Sequence, residues 1–166
     1  MLKKAIVAFL VTFVVFGMAS ALPVFGNDGS DYSFDTKVSG KAGVFAKLFE
    51  RVNLIFRFGS ESKARYWQKL TDIRLAELKM VVDEGNNDWV EETSSRYSTY
   101  LGRYSEFVIK KQVKSQKETI LKQFESHSEI LAVLRDKYKY DSAWWLMIQH
   151  DINTIDIFKN RIDKEL

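Results

Sequence analysis

Two histidines, His127 and His150, are the only imidazoles in this chain, and it has no cysteine. That combination narrows the chemistry on offer. Thiol nucleophiles, disulfides, thiolate-held metals and cysteine-attached haem are excluded. A histidine base needs a nucleophile in reach and an acid that orients it. His127 stands three residues after Phe124 and four before Leu131, on an apolar helical stripe. A hydrogen-bonded core imidazole is the expected role there, since buried polar groups find partners. His150 has Asp151 and Asp156 nearby, an oxygen–nitrogen set by composition. Neighbours on a helix diverge by about 100°, so His150 and Asp151 do not converge on one ion. No catalytic residue, no metal and no cofactor is expected.

Charged and aromatic clusters offer recognition instead. Asp83, Glu84, Asp88, Glu91 and Glu92 flank Gly85, but without the alternating oxygen ligands of a calcium loop they are expected to be a solvated acidic turn,. Lys110, Lys111, Lys114, Lys117 and Lys122 form a basic run with Glu118 as its single acid. On a helix Lys110, Lys114 and Lys117 share one side. They suit an anionic envelope polymer or lipid, each lysine near a membrane adding about 1 kcal/mol. The plain alternative is a solvated helix face. Arg96 and Arg103 beside Tyr97, Tyr100 and Tyr104 make a second surface, of the residue types that anchor interfaces. Trp144 and Trp145 diverge on a helix, so one of them, Trp144, belongs at the margin. The candidate interaction surface is therefore Arg96, Tyr97, Tyr100, Arg103, Tyr104, Lys110, Lys111, Lys114, Lys117 and Trp144.

The start of the chain speaks to destination. Lys3 and Lys4 precede an apolar run from Ala5 to Phe16, and Ala19-Ser20-Ala21 follows as a small-residue site. This is the pattern of a secretory signal peptide, residues 1–21. The alternative is an uncleaved anchor, because no charge falls between Ala5 and Phe25,. Either way the basic end holds the N-terminus inside and the rest is expected beyond the cytoplasm, secreted, periplasmic or membrane-tethered. Without Lys3 and Lys4, 23 Lys and Arg face 22 Asp and Glu, a net charge of +1. A nucleic-acid binder would carry a clustered basic excess, so nucleic acid is not an expected partner.

Positioning falls to helices. Residues 22–40 hold the polar turn cluster Gly26 to Asp31 and are expected to be a flexible tether,. From residue 41 to 166 the period is helical. Val44, Phe45, Leu48, Phe49, Val52, Ile55 and Phe56 mark one face of a first helix, with Lys47, Glu50, Arg51 and Arg57 opposite,. Gly59-Ser60 breaks it, and Ser60 is the expected N-cap of the next. The second helix carries Tyr66, Trp67, Leu70, Ile73, Leu78 and Val81 to about Glu84. Gly85 suits the position after its end, and Asn86 or Asn87 suits the start of the third. The third helix bears Trp89, Thr93, Tyr97, Tyr100, Leu101, Tyr104 and Phe107, and a kink or turn is expected between Lys110 and Gln116. Ile120, Phe124, Leu131, Leu134 and Tyr138 define the fourth. After Tyr140-Asp141-Ser142, Trp145, Ile148, Ile152, Ile155 and Ile162 define the last. No stretch alternates with a period of two. The fold class is all-α, about five helices packed as antiparallel hairpins.

Two stretches also carry a resemblance. VFAKLFERVNLIFRFGSESKARYWQKLTDIRLAELKMVVDEGN, Val44 to Asn86, is similar to the opening of an exported bacterial family catalogued as domain of unknown function 5667. ETILKQFESHSEILAVL, Glu118 to Leu134 with His127, resembles its later hairpin. Ser39, Gly40 and Gly43 stand where members usually have prolines. The resemblance implies a helical fold outside the cytoplasm and brings no activity or catalytic residues. The expected function is a non-enzymatic interaction or scaffold domain with an envelope partner, a protein or an anionic polymer or lipid. The N-terminal segment is a further expected place of membrane contact. The alternative is a bundle that carries a small ligand or ion.

Overall fold

A computed structural model describes residues 32–40, 50 and 52–166. The signal segment, the first part of the tether and most of the first helix lie outside the described residues. Residues 50 and 52–56 are helical, and four long helices follow: α1 (Ser60–Asp83), α2 (Val90–Lys110), α3 (Lys117–Arg135) and α4 (Ala143–Glu165). No strand occurs among the described residues, so the fold is all-α.

The turns explain the hairpins. Gly85 sits at φ 67°, donates to the Val82 carbonyl at 3.2 Å, and lets Asn86 donate to the Val81 carbonyl at 3.0 Å. This left-handed residue with its 6→1 bond satisfies the carbonyls that end α1. A single turn of 3₁₀ helix, Asn87–Trp89, then leads into α2. The α2–α3 connection repeats the device. Gln112, at φ 50°, donates to Ile109, Val113 donates to Val108 at 3.0 Å, and Lys114–Gln116 form the 3₁₀ turn. The kink expected there is a full reversal. At the start of α1 the N-cap is Gly59 at φ 83°, with no side-chain cap bond. Ser60 is thus the first helical residue and not the cap, because only glycine enters that backbone region freely. Ser142 does cap α4, accepting from the Trp145 N–H at 3.3 Å.

Backbones pack α1 against α2, α3 against α4, α2 against α4 and α1 against α3. The bundle is therefore a ring in which α2 and α3 face each other across the middle. They meet there through large side chains, Tyr97 on His127 at 3.1 Å and Tyr104 edge-on to Phe124 at 6.3 Å. Leu75, Leu78, Leu101, Ile120, Leu131, Ile148 and Ile155 are fully buried around them. Each such side chain removed from water contributes about 1.5–3 kcal/mol before entropy is charged against it.

Three expectations change. Trp89 leaves the apolar stripe and is 43% exposed, because it lies in the 3₁₀ turn and not in α2. Residues 32–34 do not behave as a tether: the Tyr32 hydroxyl donates to Asp72 at 2.7 Å, and Phe34 packs on the core. The described part of the first helix, residues 50 and 52–56, departs from the expected orientation. Its apolar residues Val52, Ile55 and Phe56 face solvent, while Glu50 and Leu54 face the bundle.

Candidate functional site

Arg74 anchors the most unusual site in the described structure. It stands four residues after Leu70 and four before Leu78, inside the apolar stripe of α1, and its side chain is fully buried. A buried guanidinium has five N–H groups and needs acceptors for them. Nη1 donates to Glu77 at 2.8 Å, and Nη2 donates to Glu50. Nε is buried with no partner. The guanidinium also lies 4.5 Å from the centre of the Tyr100 ring, whose hydroxyl donates to the other Glu50 oxygen at 2.7 Å. Trp67 meets the Tyr100 ring edge-on at 5.8 Å. Burial alone would lower the Arg74 pKa; the carboxylates of Glu50 and Glu77 outweigh it, and the net shift is upward. Arg74 is a permanent cation here.

Around it is a cavity of about 220 Å³ between α1 and α2, open at one side, whose wall includes Glu50, Leu54, Trp67, Arg96, Tyr100 and Arg103. Arg96 bridges to Glu77 at 3.5 Å and to Glu92 at 3.2 Å. Arg103 stands exposed at the rim, 6.0 Å from the Tyr100 ring. Chemically this is a carboxylate receptor: planar guanidinium donors, a phenol and an aromatic wall.

A second polar centre lies on the other side of α1. Asp72 Oδ1 accepts from Tyr32 at 2.7 Å, from Gln123 Nε2 at 2.6 Å and from His127 Nε2 at 2.9 Å. The Tyr97 hydroxyl closes on His127 Nδ1 at 3.1 Å. His127 is fully buried, with the Phe34 ring edge-on at 5.6 Å. It is the satisfied core imidazole its stripe position implied. Burial pushes the Tyr97 hydroxyl well up, so its proton stays in place.

The sequence-derived surface divides. Arg96, Tyr100 and Arg103 come together in the cavity. Tyr97 and Tyr104 do not join them: both are fully buried core residues and offer no surface. Lys110, Lys111 and Lys114 are exposed, but the α2–α3 reversal takes Lys114 and Lys117 off the helix of Lys110, so they share no helix face. Lys117 pairs with Asp163 at 3.1 Å. Trp144 is 37% exposed and stacks on Tyr138. His150 is exposed while Asp151 is buried, and they do not converge. No group of three or more metal-ligating side chains occurs among the described residues. The sequence reading missed Arg74, Glu50 and Trp67 as site residues. Arg74 had a signal, a cation at i+4 and i−4 from leucines; the pairing of Glu50 with it, across a helix break, had none.

A groove between α2 and α4 is lined by Ser94, Ser98, Leu146, Met147, His150 and Asp151. Burial pushes the Asp151 carboxyl up to about 7 against the pull of the Ser94 and Ser98 hydroxyls. Ser94 donates to one oxygen at 2.8 Å and the other has no partner. Among the described residues no helix is long and apolar enough to cross a membrane.

The model of a family described as a domain of unknown function, DUF5667, matches residues 44–139. That span is more than half of the chain, and the chain belongs to this family. The match takes in the whole α1–α2 cavity and all of the second centre except Tyr32 and Phe34, and it stops before α4. No curated protein and no solved structure matches the chain.

Proposed function

We propose that this member of the family is an extracytoplasmic helical interaction domain, without chemistry of its own, that binds a partner through the α1–α2 cavity. The carrying observation is a buried guanidinium that has an orphan N–H and a carboxylate already resting on it. Support for the compartment comes from the basic-apolar-small pattern of residues 1–21,. Support for binding without chemistry comes from the placement of His127, which lies under Tyr32 and Phe34 where no substrate reaches it. Arg, Tyr and Trp around a desolvated pocket are the residues that concentrate binding energy at interfaces.

The test compares the full chain with its Arg103→Glu variant in pull-downs from envelope fractions of the native host. Arg103 makes no ion pair among the described residues, so the fold and melting temperature are expected to stay unchanged. A partner held by the wild type and lost by the variant is the expected result. Equal retention by both would remove the cavity from the interface. A second reading, a carrier of a small ligand or ion, rests on the α2–α4 groove and its half-partnered Asp151. A ligand that raises the melting temperature of the wild type but not of Asp151→Asn would favour it.

A further inference from the structure

Part of the wall of the α1–α2 cavity comes from the stretch before α1, and what that stretch presents to Arg74 shows what fits there. Glu50 and Leu54 line it together, one helical turn apart on the stretch that precedes α1. Residues four apart share a helix face, so the bundle is reading an acid and an aliphatic side chain presented as a pair. Helix-in-groove recognition works in this way, by anchors at one-turn spacing.

The helix that supplies this pair is mounted unfavourably. A surface helix buries its apolar face and leaves its charges in water. This one turns Glu50 inward and leaves Ile55 72% and Phe56 69% exposed, followed by Phe58 at 87%. Contiguous apolar side chains left in water mark a contact surface. The site also has more donors than that stretch uses: among the described residues Arg74 Nε is unpartnered, and Arg103 at the rim makes no ion pair.

We propose that the helical turn carrying Glu50 and Leu54 is an internal latch, and that the cavity is built for a helical segment of a partner protein with a glutamate and a leucine one turn apart. The proposal rests on the interaction reading above and adds its ligand class and its regulation. In the free chain Glu50 competes for Arg74 and Tyr100 at the high effective concentration of a tethered group. The partner's glutamate replaces it, gaining Arg103, and the released Ile55, Phe56 and Phe58 are covered by the partner's body.

The probe is a dye-labelled, end-blocked peptide with the sequence of residues 46–57, titrated into the full chain and read by fluorescence anisotropy. The Glu50→Gln chain keeps the shape and weakens the competitor, so it is expected to bind the peptide at least tenfold tighter than the wild type. A peptide with glutamine at its single glutamate should lose at least tenfold on that chain. Arg103→Ala, whose melting temperature should not move, is expected to weaken binding severalfold in either background. This variant keeps the question answerable if Glu50→Gln folds poorly. Equal binding to wild type and Glu50→Gln, or none to any chain, overturns the latch. Free glutamate competing as well as the peptide would make the site a small-anion receptor and overturn the helical ligand. A wild-type dimer by light scattering that Glu50→Gln dissolves would make a second copy the occupant, also overturning it. If the peptide fails while the pull-down still depends on Arg103, only the latch falls; if both fail, the interaction reading falls with it.

Discussion

Two polar centres hang on α1, only two residues apart, and they have been finished differently. Asp72 and Arg74 differ by about 200° around a helix, so one faces α3 and the other α2,. Both are closed by a residue from before the bundle, Tyr32 over Asp72 and Glu50 over Arg74. At Asp72 three donors converge on one carboxylate oxygen, the imidazole uses both nitrogens, and aromatic rings cover it. At Arg74 an N–H is left over, the wall opens to solvent, and a further arginine stands at the edge. A buried network with its donors matched rigidifies a core. One with spare donors and an open side is suited to exchange. Under the proposed function, the difference separates architecture from recognition on a single helix.

The comparison breaks most visibly at His127. His127→Ala strips the Tyr97 hydroxyl of its hydrogen-bond partner, takes one donor from Asp72 and opens a cavity in the core. A loss of about 3 kcal/mol is expected in urea unfolding, with the α1–α2 cavity unaffected. A loss below about 1 kcal/mol would mean that the centre is not the structural one.

Asp151 shows what a buried carboxylate does with fewer donors than Asp72. Its folded pKa is raised from 3.8 to about 7. Between these values the unfolded chain has released the proton and the native chain keeps it, so this group favours folding less as pH rises. Its contribution is intact below about pH 4, falls through the window and stays low above pH 7. Asp151→Asn is expected to flatten that slope and to gain about 2 kcal/mol at pH 8, seen by thermal unfolding at several pH values. An unchanged slope would place the titration elsewhere.

Tyr32→Phe makes the smallest change. It removes one hydroxyl from Asp72 and from His127 Nε2, 2.9 Å away, and leaves the Gln123 and His127 bonds to Asp72 in place, for an expected cost of about 1 kcal/mol,. Faster amide exchange in residues 32–38, with no change in the rest of the bundle, would sharpen the view that this stretch is a cover. A global loss of protection would show that it is part of the core.

Helix positions were legible where local chemistry speaks. Gly85 announces its turn because glycine enters φ 67° without strain,. The Gln112 turn has the same geometry at a residue type that gives no warning, since about 1–2 kcal/mol of left-handed strain is outweighed by its surroundings,. Gln112 Nε2 donates to the Ile109 carbonyl at 3.0 Å and to the Glu165 carbonyl at 3.1 Å, which ties the turn to the end of α4. Arg96, Tyr100 and Arg103 were picked out by type and spacing. Which tyrosines face water was not, because the stripe of α2 touches both the cavity and the core, and only neighbouring helices divide it.

By itself the sequence determined an all-helical chain, its hairpin at Gly85, its buried imidazole and the absence of thiol chemistry. These follow from local rules, the 3.6-residue period, the freedom of glycine and a residue inventory. The tertiary structure alone decided that Asp72 meets His127 and that Arg74 takes the carboxylate of Glu50. It also decided that Glu50 would face the bundle while Ile55 and Phe56 face water. Those outcomes depend on partners 24 to 55 residues away, where packing and the need to satisfy buried charge override the local pattern.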